Sequence, residues 1–346
     1  MTLLADTSPI SVPARTVHRY VEVDGVEVFY RESLPERADA PVLLLLHGFP
    51  SASHQFRRLI DNLGRHYRLI APDYPGFGHT RAPEHFTYSF DRLAHVVEGF
   101  TERLGLTRYA MYLFDFGAPV GFRLALRHPE RVTGLVVQNG NAYLEGLSDT
   151  ARDFIALTPE TPGAESTILG LFTLAATRAQ YEGGTTDPAL VAPEGWLLDQ
   201  HFLDQPGRKE AQLALAYDYK SNLAAYPAWQ TWLRQHRPPT LITWGTGDPF
   251  FTESGARAYL RRDHPSPLLG SRRRPHPRRH RPAQPPHGGG LRTCRLPRLD
   301  WTLPVAPADF TGSRSGRLRV RPGGWPGGPG WASARRAPSR GVRGGG

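Results

Sequence analysis

The chain has 346 residues, a single cysteine (Cys294) and a formal charge of +10 at pH 7. One cysteine excludes an intrachain disulfide framework and suits a reducing compartment such as the cytoplasm. The longest aliphatic run, "VLLLL" at 42–46, falls far short of the ~20 residues a membrane helix needs. The charge is segregated. Residues 264–346 hold 17 Arg against 2 Asp, a net +15 that leaves −5 on the first 263 residues, so the basic character does not describe what the remainder binds. The opening "MTLLADTSPISVPARTVHRY" lacks the basic start and apolar core of a secretory signal.

"RYVEVDGVEVFYRES" (19–33) alternates apolar and polar residues around Asp24-Gly25, a pair suited to positive φ, and predicts an antiparallel hairpin. "PVLLLLHG" (41–48) reads as a strand buried on both faces, "FRRLIDNLGR" (56–65) as a helix, and "YRLIAPD" (67–73) as another buried strand leading into the turn "YPGFG". "SFDRLAHVVEGFTERLG" (89–105) is helical with Ser89 as N-cap. "YAMYLFD" (109–115) predicts a strand, "APVGFRLALRH" (118–128) a helix and "VTGLVVQNG" (132–140) a strand. This alternation indicates an α/β fold with a mostly parallel sheet and helices on both faces.

The rhythm changes at 143–238, which reads as several helices without a buried strand. The clearest are "KEAQLALAYDYKSNLA" (209–224) and, separated from it, "PAWQTWLRQH" (227–236). The sheet pattern returns at "PTLITWGTGD" (239–248), followed by a helix at 253–262. The expected organisation is therefore a core at 16–142, a helical cap at 143–238, the rest of the core at 239–263, and a tail at 264–346. Of the 83 tail residues, 17 are Arg, 15 Gly and 14 Pro, and only 11 are Val, Leu or Phe. So little apolar surface predicts disorder, with the last strand and helix of the sheet missing.

In open parallel sheets reacting groups gather at the carboxyl ends of the strands. Three features sit there: "HGFP" (47–50), "FDFG" (114–117) and "WGTGD" (244–248). Asp115 falls on a strand-to-helix turn of the kind that exposes a nucleophile, and the backbone N–H groups of Phe116 and Phe49 are placed to stabilise a developing oxyanion. The bland alternatives are an acid capping the next helix for Asp115 and plain core packing for the two phenylalanine rings. Asp73 reads as a structural turn acid. "GLSDT" (146–150) is a poor serine elbow, because it lacks the final glycine.

These motifs together resemble the α/β-hydrolase fold, in the epoxide hydrolase and haloalkane dehalogenase branch, over roughly residues 16–263. The resemblance implies an aspartate nucleophile, Asp115, that forms an alkyl ester with a small electrophile without prior deprotonation by a base. Asp248 matches the acid that orients a histidine, and His47 matches a structural position in the oxyanion loop. "YKSN" (219–222) is similar to a cap-tyrosine motif of epoxide hydrolases and makes Tyr219 the candidate donor to an epoxide oxygen, with packing in the cap as its alternative. Tyr181 or Tyr143 is the candidate for the first such tyrosine, and Tyr217 is a neighbour of Tyr219. No cofactor and no metal are implied.

Phe116 stands where dehalogenases carry a halide-binding Trp and fluoroacetate dehalogenases an Arg. The reading is therefore epoxide hydrolase-like, with a carbon–halogen hydrolase as the nearest rival. A non-catalytic relic, or a nucleic-acid binder using the Arg-rich tail, are the alternatives from other classes. Two departures stand out. Leu113 occupies a place where such turns usually have a small residue. The family's Gly-His turn would fall near 273–278, where the sequence reads "RRPHPR"; His276, and equally His264, His280 and His287, lie in tail-like surroundings. With 40 Arg to 2 Lys, the coding sequence reads as GC-rich, and a change of reading frame shortly after Arg262 would produce such a tail.

Overall fold

The apolar run at 42–46 lies at the centre of an eight-stranded sheet in the computed structural model, which describes residues 13–261 and the backbone of 268–270. The strands are β1 (Thr16–Val23), β2 (Val26–Ser33), β3 (Val42–Leu46), β4 (Arg68–Pro72), β5 (Tyr109–Phe114), β6 (Val132–Gln138), β7 (Thr240–Thr243) and β8 (Leu268–Gly270). Their order is β1-β2-β4-β3-β5-β6-β7-β8. β1 and β2 form the predicted hairpin, with Asp24 at φ 50° and Gly25 at φ 82°. β2 pairs antiparallel with β4, and every later pairing is parallel.

Period-two alternation explains why the central strands are apolar throughout. Leu44 and Leu46 of β3 join Met111 and Leu113 of β5 in the core on one face. Leu43 and Leu45 pack with Phe56, Ile60 and Leu69 on the other. A strand covered on both sides has no solvent face to make polar.

Helices α1 (Arg57–Leu63), α2 (Phe90–Arg103) and α3 (Gly117–Arg127) fall between the early strands. Ser89 caps α2 by accepting from the Arg92 N–H at 3.2 Å. Six helices separate β6 from β7: α4 (Asp149–Ile155), α5 (Ala164–Gly170), α6 (Leu174–Glu182), α7 (Glu194–Leu203), α8 (Arg208–Asp218) and α9 (Lys220–His236). After β7 comes α10 (Glu253–Ala258). Among the described residues, no helix is long and apolar enough to cross a membrane.

Two expectations need correction. The helix read at 209–224 breaks at Tyr219, whereas the break expected before Pro227 does not occur, and Pro227 lies inside α9. A proline in a helix removes one hydrogen bond, which packing around the buried Tyr226, Trp229 and Trp232 can offset. The sheet also does not stop at β7. The three-residue β8 pairs with it from Leu241↔Leu268 to Thr243↔Gly270, using a leucine pair that precedes the arginine-rich run. The rest of the expected disordered tail, with His264, His276, His280 and His287, lies outside the described residues.

Leu113 is accommodated by a glycine elsewhere. A Cβ on Gly121 of α3 would come within 2.3 Å of Leu113 Cδ2. The bulk usually absent before such a turn is here received by a gap in the helix that follows it.

Candidate active site

Asp115 follows β5 and precedes α3 with φ 48°, a left-handed conformation that a non-glycine residue adopts only when its surroundings require it. The Phe49 N–H donates to Asp115 Oδ1 at 2.7 Å. The adjacent Phe116 N–H also favours the charged form of the carboxylate. Close approach of the two loops needs Gly48, because a Cβ there would sit 2.4 Å from Asp115 Cβ. Gly117 likewise lets α3 start against the Leu46 carbonyl, 2.1 Å from where its Cβ would be.

Asp115 keeps part of its surface open, but protein surrounds most of it. Loss of hydration on burial pushes its pKa from 3.8 up to about 7. The two amides work against that rise, and the negative charge of Asp248 adds to it. The two acids thus share one electrostatic environment.

Asp248 lies in the loop after β7. Its Oδ1 accepts from the Phe250 and Phe251 N–H groups at 2.8 and 2.9 Å, and its Oδ2 from Asn139 Nδ2 at 2.6 Å. Asn139 sits just past β6 with φ 45° and also bonds the Gly245 N–H through its Oδ1. These bonds fix the Asp248 carboxylate and leave part of Oδ2 free to accept another donor.

His47 is buried and its ring stacks on Tyr74 at 4.0 Å. Nδ1 lies 3.2 Å from the Gly48 carbonyl, and Nε2 accepts from the Tyr74 N–H at 3.3 Å. Both nitrogens are therefore occupied in the neutral ring, and burial lowers its pKa to about 4. This is a loop support with no position left for a proton transfer. Asp73 holds the Ser53 and His79 N–H groups at 2.7 and 2.8 Å, as a turn acid does.

Tyr219 sits at the junction of α8 and α9. Its ring lies 5.9 Å from Phe116, 5.6 Å from Phe90 and 6.5 Å from Phe251. Burial, the neighbouring Tyr226 and the Asp115 charge hold its pKa well above 10. The junction is anchored on both sides. Asp218 Oδ2 accepts from the Phe90 N–H at 2.7 Å, and Arg123 of α3 donates to Asn222 Oδ1 at 2.7 Å and Ser221 Oγ at 3.1 Å.

Phe49 packs 5.4 Å from Phe172 and 5.9 Å from Phe116. Tyr217 borders the same apolar cluster as Phe49. Tyr143 instead packs on Tyr259 at 4.9 Å. Tyr181 donates to Asp199 within a second buried cluster, where His54 Nε2 lies 2.8 Å from Asp199 Oδ1 and 3.3 Å from Ser51 Oγ. Serine and aspartate there meet the same ring nitrogen, so the histidine cannot relay a proton between them.

The family model described as the alpha/beta hydrolase fold matches residues 41–276. The chain belongs to the alpha/beta hydrolase fold family. It is 42% identical over 247 residues to an uncharacterized hydrolase of Saccharomyces cerevisiae, covering 70% of this chain and 84% of that protein. It is 29% identical over 223 residues to haloalkane dehalogenase 2 of Mycobacterium tuberculosis, covering 62% and 74%. It is 27% identical over 250 residues to epoxide hydrolase 2 of Caenorhabditis elegans, covering 69% of each. A haloalkane dehalogenase variant from Bradyrhizobium elkanii shares the fold, with a TM-score of 0.56 at 21% identity over 74% of this chain and 88% of that one.

Asn139, Arg123, Tyr226 and Asn141, whose Nδ2 donates to Tyr226 Oη at 3.1 Å, were missed by the sequence reading. Asn139 lies in the "QNGN" loop at the carboxyl end of a buried strand, and that position was the available signal. The other three have none in one dimension.

Proposed function

We propose that this hydrolase opens small electrophiles through a covalent ester on Asp115, with epoxides as the preferred class. The observation that carries the reading is the Asp115 carboxylate on its strained turn with the Phe49 and Phe116 amides directed at it. Oδ1, held by the Phe49 amide, becomes the ester carbonyl, and the other oxygen attacks carbon. A carboxylate needs no base for this step, only ionisation. The same amides then stabilise the tetrahedral oxyanion formed when water attacks the ester.

Tyr219 favours epoxides over halides. Ring opening generates an alkoxide that needs a proton, and a phenol hydroxyl can supply it. Halide departure needs weak N–H donors instead, and the Phe116 ring has none. The dehalogenase reading keeps the same nucleophile and is the second choice.

Hydrolysis of the ester requires a base held by Asp248. Among the described residues, the partners of the Asp248 carboxylate are Asn139 and two backbone amides. With no Gly-His turn in the sequence that follows, the ester persists and the protein reacts once. The test is stoichiometry. Incubation with excess epoxybutane consumes about one equivalent per chain, whereas sustained diol release would overturn the single-turnover reading.

A further inference from the structure

The cap carries a buried carboxylate that the reaction above does not use. Asp199 of α7 is 0% exposed and meets the segment between β3 and α1, which also carries the Phe49 amide. Its Oδ1 makes no hydrogen bond of good geometry among the described residues and instead lies 2.8 Å from His54 Nε2. That nitrogen is also 3.3 Å from Ser51 Oγ. The other oxygen, Oδ2, accepts from the Tyr181 hydroxyl of α6. Gly195 packs against the Tyr181 ring so closely that a Cβ there would come within 2.7 Å of Cε1. A carboxylate shut away from water is costly unless something matches it, so Asp199 ties the cap to His54.

The next residue, Gln200, acts on the same segment from its outer side. It accepts from Thr177 Oγ1 at 2.8 Å and donates to the Phe172 carbonyl at 3.2 Å, and the Phe172 ring packs on Phe49 at 5.4 Å. The core holds the segment at other points: Tyr74 donates to His47, and the Ser53 N–H donates to Asp73. Phe49 and Ser51 lie between those two.

The geometry points to Asp199 as a positioning residue for the Asp115 reaction: acting from the cap through His54, it holds the segment where the Phe49 amide meets Oδ1. The inference rests on the nucleophile role proposed above for Asp115. The Phe49 hydrogen bond favours the ionised acid, so a segment free to drift would make Asp115 ionise at higher pH. Two other consequences of losing Asp199 push the opposite way. Removing a negative charge, or admitting water under a loosened cap, would make Asp115 ionise at lower pH. The sign of the shift therefore separates positioning from packing.

The test is the pH dependence of adduct formation on Asp115 with epoxybutane, in the full-length protein and in Asp199→Leu. The midpoint should rise by about half a pH unit, which makes the variant about threefold slower at pH 6 and leaves its rate at pH 9 within about twofold. Combining His54→Phe with Asp199→Leu replaces both partners by apolar groups, a change that buried pairs often tolerate, and should give the same shift. This double variant decides the matter if Asp199→Leu alone does not fold. A midpoint that stays put or falls would overturn the positioning role and leave Asp115 as the nucleophile. No adduct on the unmodified protein would overturn the nucleophile assignment and the positioning role together.

Discussion

Replacing Asp115 with asparagine should stabilise the protein, and the gain should depend on pH. A pKa of about 7 in place of 3.8 means that ionising this carboxylate costs about 4 kcal/mol more in the fold than in water. Part of the group stays open to solvent, so about 2 kcal/mol is the expected measured gain. The asparagine side-chain carbonyl can still accept from the Phe49 amide, so the swap removes the charge without orphaning that donor. The sign follows from proton counting. Because the folded pKa is raised, the stability from the protonated acid is full below 3.8 and is lost as pH climbs to about 7. The Asp115→Asn gain therefore starts near zero at pH 4 and reaches its maximum above pH 7. For a domain of this size, 2 kcal/mol corresponds to a melting temperature about 4–8 °C higher at pH 8. Thermal melts of both proteins at pH 4 and pH 8 measure it. A variant no more stable than the parent at pH 8, or equally stabilised at both pH values, would refute the argument that burial strains this charge.

Four further outcomes follow from the geometry. The rate of adduct formation with epoxybutane should rise through about pH 7 and level off above it, tracking ionisation of Asp115. Asp248→Asn removes a negative charge that raises the Asp115 pKa, so it should move that curve to lower pH and speed alkylation at pH 6 about twofold. Gly121→Ala should cost about 2–3 kcal/mol by chemical denaturation, and Leu113→Ala in the same chain should restore about 1 kcal/mol, since the clash is with Leu113 Cδ2. The coding DNA near codon 263 should encode an apolar strand followed by Gly-His in a shifted frame. If neither alternative frame does, the reading-frame explanation of the tail is wrong.

The strands were legible because a sheet covered on both faces forces continuous apolar runs, as in β3 and β4. The Asp115 turn was legible because one residue type and its neighbours define it. What escaped the sequence reading depends on partners far along the chain. Leu113 looked anomalous until Gly121 was seen across from it. The break at Tyr219 is set by Asp218 reaching the Phe90 amide and Arg123 reaching Ser221 and Asn222, contacts spanning about a hundred residues of sequence. Pro227 gave a strong local signal that packing of α9 overrode. Asn141 and Tyr226 stand 85 residues apart, and no spacing rule links them. β8 has three residues, too few for any periodicity to register.

The most direct test is peptide mapping by mass spectrometry after exposure to epoxybutane. The account predicts one added epoxide mass on the peptide containing Asp115, absent from the Asp115→Asn protein. A modification elsewhere, on Cys294 or a histidine, with Asp115 untouched, would contradict it.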